Sequence, residues 1–307
     1  MSSLIEQAAQ RLEQLRRAGI EVPGFDGHKA VGVASPAAEA KAAPLGAGEA
    51  SEAPVATSRC VDLDLAMLQA NGIVTPNAPR SHIADEFRVI KRPLLSNAMG
   101  RGAAALPHAN LIMVTSAVAG EGKSFTSVNL AMSIAAELDH TVMLVDADVA
   151  RPSILSMLGL PPGPGLLDLL EGKADMSGVL MKTNIDKLTI LPSGTPHARA
   201  TELLASDAMR VLLDDISKRY QDRIVIFDSP PLILTTEARV LASQMGQVIL
   251  VVHAGKTLQA DVQHALATIE ACPVKMMLLN QLPADSKSGY GYGYHYGHGY
   301  GAKKHAA

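Results

Sequence analysis

Three short stretches of this chain carry residues of the type and spacing that handle phosphates. The first is AVAGEGKS, residues 117–124, which follows the apolar run NLIMVTS and precedes a helical pattern. A phosphate loop has the form Gly-x4-Gly-Lys-Ser/Thr. Here Ala117 stands in place of the first glycine, while Gly122, Lys123 and Ser124 keep the rest. Gly120 and Gly122 let backbone N–H groups turn inward around phosphate oxygens, and the start of the following helix adds its own. Residues Ala119, Gly120, Glu121, Gly122, Lys123, Ser124 and Phe125 are therefore the candidate phosphate-binding segment. Lys123 is placed to reach the β- and γ-phosphates and Ser124 to ligate Mg²⁺, so the expected ligands are ATP and Mg²⁺. The plainer reading is a glycine-rich turn that merely starts a helix.

The second stretch is VMLVDADVARPS. Asp146 and Asp148 follow an apolar strand and fall where a carboxylate would lie near the terminal phosphate. One could accept a hydroxyl proton and the other could hold metal or metal-bound water. The third is RIVIFDSPPLI, in which Asp228 ends a strand at the place of a metal-shell carboxylate. Ser124, Asp148 and Asp228 are the candidate metal residues, and Lys123, Asp146, Asp148 and Asp228 the candidate catalytic set. Acidic caps of the following loops are the plainer alternative for the three aspartates.

These stretches need a scaffold that brings strand ends together. Apolar runs at 110–116, 141–145, 187–191, 223–227, 247–252 and 274–279 alternate with helical patterns at 123–137, 201–219, 235–244 and 257–270. Continuous apolar strands alternating with helices predict an α/β fold with a mostly parallel sheet and helices on both faces. Ligands of such sheets sit at the carboxyl ends of the strands.

The rest of the chain bounds the possibilities. In 307 residues the net charge is −3, so no basic nucleic-acid surface is expected. The two cysteines, Cys60 and Cys272, are far apart, which fits a cytoplasmic protein without a disulfide framework. No apolar run approaches the roughly 20 residues that span a bilayer, so a membrane role would go through a partner. Residues 1–19 read as an amphipathic helix, with Leu4, Ile5, Ala8, Ala9, Leu12 and Leu15 on one stripe. Residues 20–80 read as a mostly disordered linker with a possible short helix at 62–70. The catalytic domain is expected at 81–285 and a flexible tail at 286–307.

That tail, SKSGYGYGYHYGHGYG, holds five of the ten Phe and Tyr residues: Tyr290, Tyr292, Tyr294, Tyr296 and Tyr300. A Gly-rich coil of about 8–18 residues counted from Leu282 averages roughly 14–25 Å end to end, enough to reach a neighbouring active site. Five phosphates would add about −8 to −10 of charge, enough to loosen subunit contacts. The tail also reads as a passive solubilising segment, and Tyr220 as structural.

The phosphate loop, DADVARP, FDSPP and a terminal tyrosine cluster, in that order, resemble the bacterial protein-tyrosine kinases of exopolysaccharide synthesis. The opening helix, EFRVIKRPLLSNA and ATELLASDAM resemble more narrowly the tyrosine autokinases of exosortase-associated loci. The resemblance implies a P-loop NTPase architecture like that of the MinD and ParA proteins. It implies transfer of phosphate from ATP to protein tyrosine, with the five tail tyrosines as acceptors, often within a ring of identical subunits. It also implies three partners or settings: the cytoplasmic segment of a transmembrane polysaccharide chain-length protein, a protein-tyrosine phosphatase, and recruitment to the inner face of the membrane. Asp146 takes the base role, Asp148 and Asp228 the metal role, and Asn280 the contact with adenine.

Three departures stand out. Ala117 replaces the loop's first glycine, and Ala150 replaces an arginine, with Arg151 one place later. Asp85, Arg88 and Lys91 stand where the family has a Glu-x2-Arg-x2-Arg ring motif. Arg151 would either reach phosphate or pair with a neighbouring acid. Two other functions fit parts of the pattern. A positioning ATPase of the same architecture usually carries an early loop lysine, where this chain has Val118. A nucleotide-bound scaffold with little turnover fits Ala150.

Overall fold

A computed structural model describes residues 59–76, 81–102, 106–219 and 222–283 of the chain. The expected N-terminal helix at 1–19, the tail from 286 and Tyr220 lie outside the described residues. Eight strands form one sheet: β1 (Arg59–Val61), β2 (Leu111–Ser116), β3 (Thr141–Asp146), β4 (Met181–Thr183), β5 (Leu188–Leu191), β6 (Arg223–Asp228), β7 (Gln247–His253) and β8 (Val274–Asn280). Their spatial order is β1-β4-β5-β3-β6-β2-β7-β8. Every neighbouring pair is parallel except β4 with β5.

The expected strands all form, because their apolar runs have two faces to fill. Along β2, Ile112 and Val114 join one buried cluster while Leu111 and Met113 join the other. Each cluster is roofed by helices. The first packs under α1 (Leu65–Ala70), α2 (His82–Ala98) and α3 (Lys123–Ala135). The second packs under α8 (Asp207–Arg219), α9 (Thr236–Ser243) and α10 (Gln259–Thr268). Between them in sequence come four short helices: α4 (Ile154–Met157), α5 (Leu166–Leu170), α6 (Met176–Val179) and α7 (Ala200–Leu204). Burying one such aliphatic side chain is worth about 1.5–3 kcal/mol, so the central strands supply much of the stability.

Three expectations are corrected. Residues 59–76 fall within the stretch read as linker, yet they add β1 to the sheet beside β4 and bury Leu63, Leu68 and Ile73. Side-chain amides fix them: Asn184 Oδ1 accepts from Leu63 N at 3.0 Å and Asn129 Oδ1 from Val74 N at 2.7 Å. The single helix expected over 201–219 is two, α7 and α8, broken at residues 205–206. There the Ser206 hydroxyl bonds the Leu203 carbonyl and receives the N–H of Met209.

The third correction concerns Lys91. On α2 it points inward, away from Asp85 and Arg88, which pair with each other at the surface. Its ammonium is buried and meets the Ser133 carbonyl on the neighbouring α3 and, at 2.7 Å, Glu137 just past the end of that helix. Lys91 therefore staples two helices of one chain and is not offered to a neighbouring subunit.

Among the described residues no helix is long and apolar enough to cross a membrane. Strand β8 lies at one edge of the sheet, and along it Met277 and Leu279 are exposed.

Candidate active site

The phosphate loop connects β2 to α3. Its two inner glycines take left-handed backbone angles, φ 84° at Gly120 and φ 90° at Gly122, which only glycine adopts at no steric cost. Ala117 is fully buried, and the described non-glycine residues with positive φ are His108 and Gln281 alone. The first loop position therefore tolerates a methyl group, which joins the second apolar cluster. Phe125 sends its ring into the first cluster, leaving its backbone at the helix start.

The three aspartates converge because their strands are neighbours at the middle of the sheet. Asp146 and Asp228 are register partners on β3 and β6, and Asp228 is level with Val114 on β2. Both carboxylates are almost completely buried. Asp146 Oδ2 accepts the N–H groups of Ser153 and Ile154, each at 3.0 Å, at the start of α4. Asp228 Oδ1 accepts from the Ser127 hydroxyl at 3.0 Å. The remaining oxygens, Asp146 Oδ1 and Asp228 Oδ2, are buried without a hydrogen-bond partner.

Burial pushes the Asp146 carboxyl up to about 7, helped by the negative charge of Asp228 and opposed by the two N–H groups. Burial likewise raises Asp228, to about 6, against the pull of the Lys123 charge and the hydroxyls of Ser124 and Ser127. Asp148 Oδ2 holds the Lys123 ammonium at 2.8 Å. The Arg151 backbone N–H reaches Asp148 Oδ1 at 3.2 Å, while its side chain is exposed.

The arrangement fits a magnesium nucleotide. A buried acceptor oxygen with no partner is costly and marks a place where a ligand completes the site. Here there are two such oxygens, and the Ser124 hydroxyl stands beside Asp228. The donors are all hard oxygens, the set that Mg²⁺ prefers. Ser124, Asp148 and Asp228 would hold the ion, and the open turn at Gly120 leaves room for phosphate, since a Cβ placed there would touch nothing within 4 Å.

The side-chain ties around the loop are legible only in three dimensions. The Glu121 carboxylate is buried and accepts from Val118 N at 2.9 Å, His253 N at 3.3 Å and the Thr257 hydroxyl. Asn280 donates its side-chain N–H to the Glu121 carbonyl at 2.9 Å, and Gln281 donates to the Gly120 carbonyl at 3.1 Å. Beside them a groove of about 1010 Å³ runs between α2 and β8, lined by Ile83, Phe87, Ile90, Met277 and Leu279 among others. Asp146, Asp148 and Asp228 do not line it.

Residues 108–279, more than half of the chain, match the family model described as ParA, NUBPL iron-transfer P-loop NTPase. Tyrosine-protein kinase CpsD of Streptococcus agalactiae is 31% identical over 56% of this chain and 75% of its own length. The chain belongs to the bacterial tyrosine-protein kinases of the P-loop NTPase family. Tyrosine-protein kinase YwqD of Bacillus subtilis (strain 168) is 29% identical to this kinase, over 71% of the chain and 90% of the relative. The crystal structure of the chimerical protein CapA2B2 superposes with a TM-score of 0.60 at 28% identity, covering 74% of this kinase and 94% of that chain. The positions of Lys123, Asp146, Asp148 and Asp228 in the kinase all fall within the matched segment.

Proposed function

We propose that this kinase transfers the γ-phosphoryl group of ATP to the tyrosines of its own C-terminal tail, and that this cycle regulates exopolysaccharide synthesis or export. The observation that carries the reading is the Asp146 carboxylate. It is buried, raised to about 7, and keeps Oδ1 free beside Asp228. A base poised near neutral pH suits removal of a hydroxyl proton.

In this reading the loop N–H groups and Lys123 bind the triphosphate, Lys123 exchanging Asp148 for phosphate oxygens. Bound Mg²⁺ supplies neutralisation of the charge on the phosphate oxygens. Asp146 Oδ1 accepts the tyrosine hydroxyl proton. The tyrosine oxygen bonds to the γ-phosphorus, the β–γ bridging bond breaks, and ADP leaves with that bridging oxygen. Positioning and charge stabilisation carry most of such a rate.

The acceptors are Tyr290, Tyr292, Tyr294, Tyr296 and Tyr300. Their support is proximity in sequence: Gln281, bonded to the loop carbonyl of Gly120, precedes the first of them by nine residues. We further propose that the kinase works as a homo-oligomer, activated at the membrane by the cytoplasmic segment of a polysaccharide chain-length protein and reset by a tyrosine phosphatase.

The test is to incubate the purified chain with ATP and Mg²⁺, with and without such a segment, and to probe for phosphotyrosine. Signal that disappears in Lys123→Met and on truncation after Ser286 supports the reading. ATP hydrolysis with no tail phosphate points to a switch ATPase, and neither activity points to a scaffold.

A further inference from the structure

We propose that Asn280 and Gln281 are positioning residues that hold the phosphate loop in its anion-binding shape from outside. The inference rests on the nucleotide-binding reading above and deepens it. In a trans peptide the C=O and N–H point in opposite directions. The Gly120 carbonyl is held by the Gln281 amide at 3.1 Å, and the Glu121 carbonyl by the Asn280 amide at 2.9 Å. Fixing those two carbonyls outward turns the N–H groups of Glu121 and Gly122 the other way, into the cradle. Neither N–H has an acceptor among the described residues.

Three further observations support a built contact. Gly122 is required by it: a Cβ at that position would lie 2.2 Å from the Asn280 side-chain nitrogen. Gln281 takes a left-handed backbone, φ 56°, which costs energy in a residue with a side chain and persists only where its surroundings hold it. That turn directs its amide back to the loop.

The same loop is tied from the other side by the Glu121 carboxylate. It reaches the end of β7 through His253 N and the start of the next segment through Thr257. His253 and Asn280 are register partners, so adjacent strand ends grip one peptide from two directions. The family resemblance gives Asn280 to adenine. Here one of its two amide N–H groups serves the loop backbone, a contribution that goes to phosphate binding and is shared by every nucleotide.

Binding of four ligands to the full chain distinguishes the two roles: inorganic tripolyphosphate, ADP, ATP and GTP, each with Mg²⁺, measured by calorimetry. In Asn280→Ala and in Gln281→Met, tripolyphosphate and ATP should weaken by the same factor, about five- to tenfold for one lost amide. The ratio of ATP to GTP affinity should stay as in the wild type. Gln281→Gly keeps the turn and loses the amide, and should match Gln281→Met. Because Gln281 is exposed, its variants carry the test if Asn280→Ala fails to fold. Unchanged tripolyphosphate binding with weaker ATP binding makes Asn280 a base contact and overturns the proposal. Unchanged binding of every ligand overturns it too. A wild-type chain that binds none of the four overturns the nucleotide reading itself.

Discussion

Replacing Asp146 by Asn should stabilise the metal-free, nucleotide-free kinase while removing its activity. In the folded chain the carboxyl ionises at about 7, against 3.8 for the ordinary group. Below 3.8 both states are protonated and nothing is lost. Between about 4 and 7 the unfolded chain releases the proton and the folded chain keeps it, so stability falls as pH rises and is fully lost above about 7. That rise, at ~1.36 kcal/mol per unit, amounts to about 4 kcal/mol. Asparagine carries no charge, its Oδ1 can still accept from Ser153 and Ile154, and its amide N–H faces Asp228. The hydrogen bonds to the ionised carboxylate are already counted in that net rise, so the gain at pH 8 is up to about 4 kcal/mol. For a domain of this size that is a rise in Tm of up to roughly 10–15 °C. At pH 5 only the interval from 3.8 to 5 has acted, about 1.6 kcal/mol, and the gain should shrink to less than half. Thermal melts in EDTA at pH 5, 6.5 and 8 read this directly. A variant that melts below the wild type at pH 8, or whose gain is the same at pH 5, refutes the reasoning. Loss of the base should also lower tail phosphorylation by about 10²–10⁴-fold, and wild-type activity should rise with pH through about 7.

Lys123→Met leaves Asp148 buried without its partner and should cost about 2–3 kcal/mol in urea unfolding, a loss that adding Asp148→Asn restores. Lys91→Ala should cost about 2 kcal/mol, because Glu137 loses its buried partner and keeps only the exposed Arg92 at 3.5 Å, whereas Arg88→Ala at the surface should stay within about 0.5 kcal/mol. A Lys91→Ala chain that melts like the wild type would return Lys91 to the surface. Gly165→Ala puts a methyl 2.1 Å from the Pro192 carbonyl and should lower Tm or prevent soluble expression, with no rescue from added nucleotide.

The middle of the sheet was legible in the sequence because its strands are unbroken apolar runs that end in chemistry. NLIMVTS leads into the loop, TVMLV into Asp146 and RIVIF into Asp228. The short helix expected at 62–70 forms as Leu65–Ala70, but its place in the domain escaped notice because a three-residue strand beside it is too short to show a period. The charges at 85, 88 and 91 suggested one face, but 100° per residue carries Lys91 well around the helix from Asp85. What decides its direction is Glu137, distant in sequence. The roles of Glu121, Asn280 and Gln281 were hidden for the same reason. Glu121 was read as a loop backbone contact, and its carboxylate finds partners at His253 and Thr257. Such ties have no signature in local spacing.

The pairing of Asp146 with Asp228 across β3 and β6 has a consequence for how this site tolerates change. Two residues level on neighbouring strands are separated by the interstrand spacing of about 4.8 Å. The backbone hydrogen-bond ladder thus works as a ruler between the two carboxylates. Insertions in the surrounding loops can alter what reaches the site without altering that interval. A slip of β3 by one residue is different in kind: it would turn Asp146 to the opposite side of the sheet and bring Val145 or Ala147 in its place. β5 and β6 hold β3 from both sides in fixed register. Drift in this active site therefore comes in whole residues or not at all.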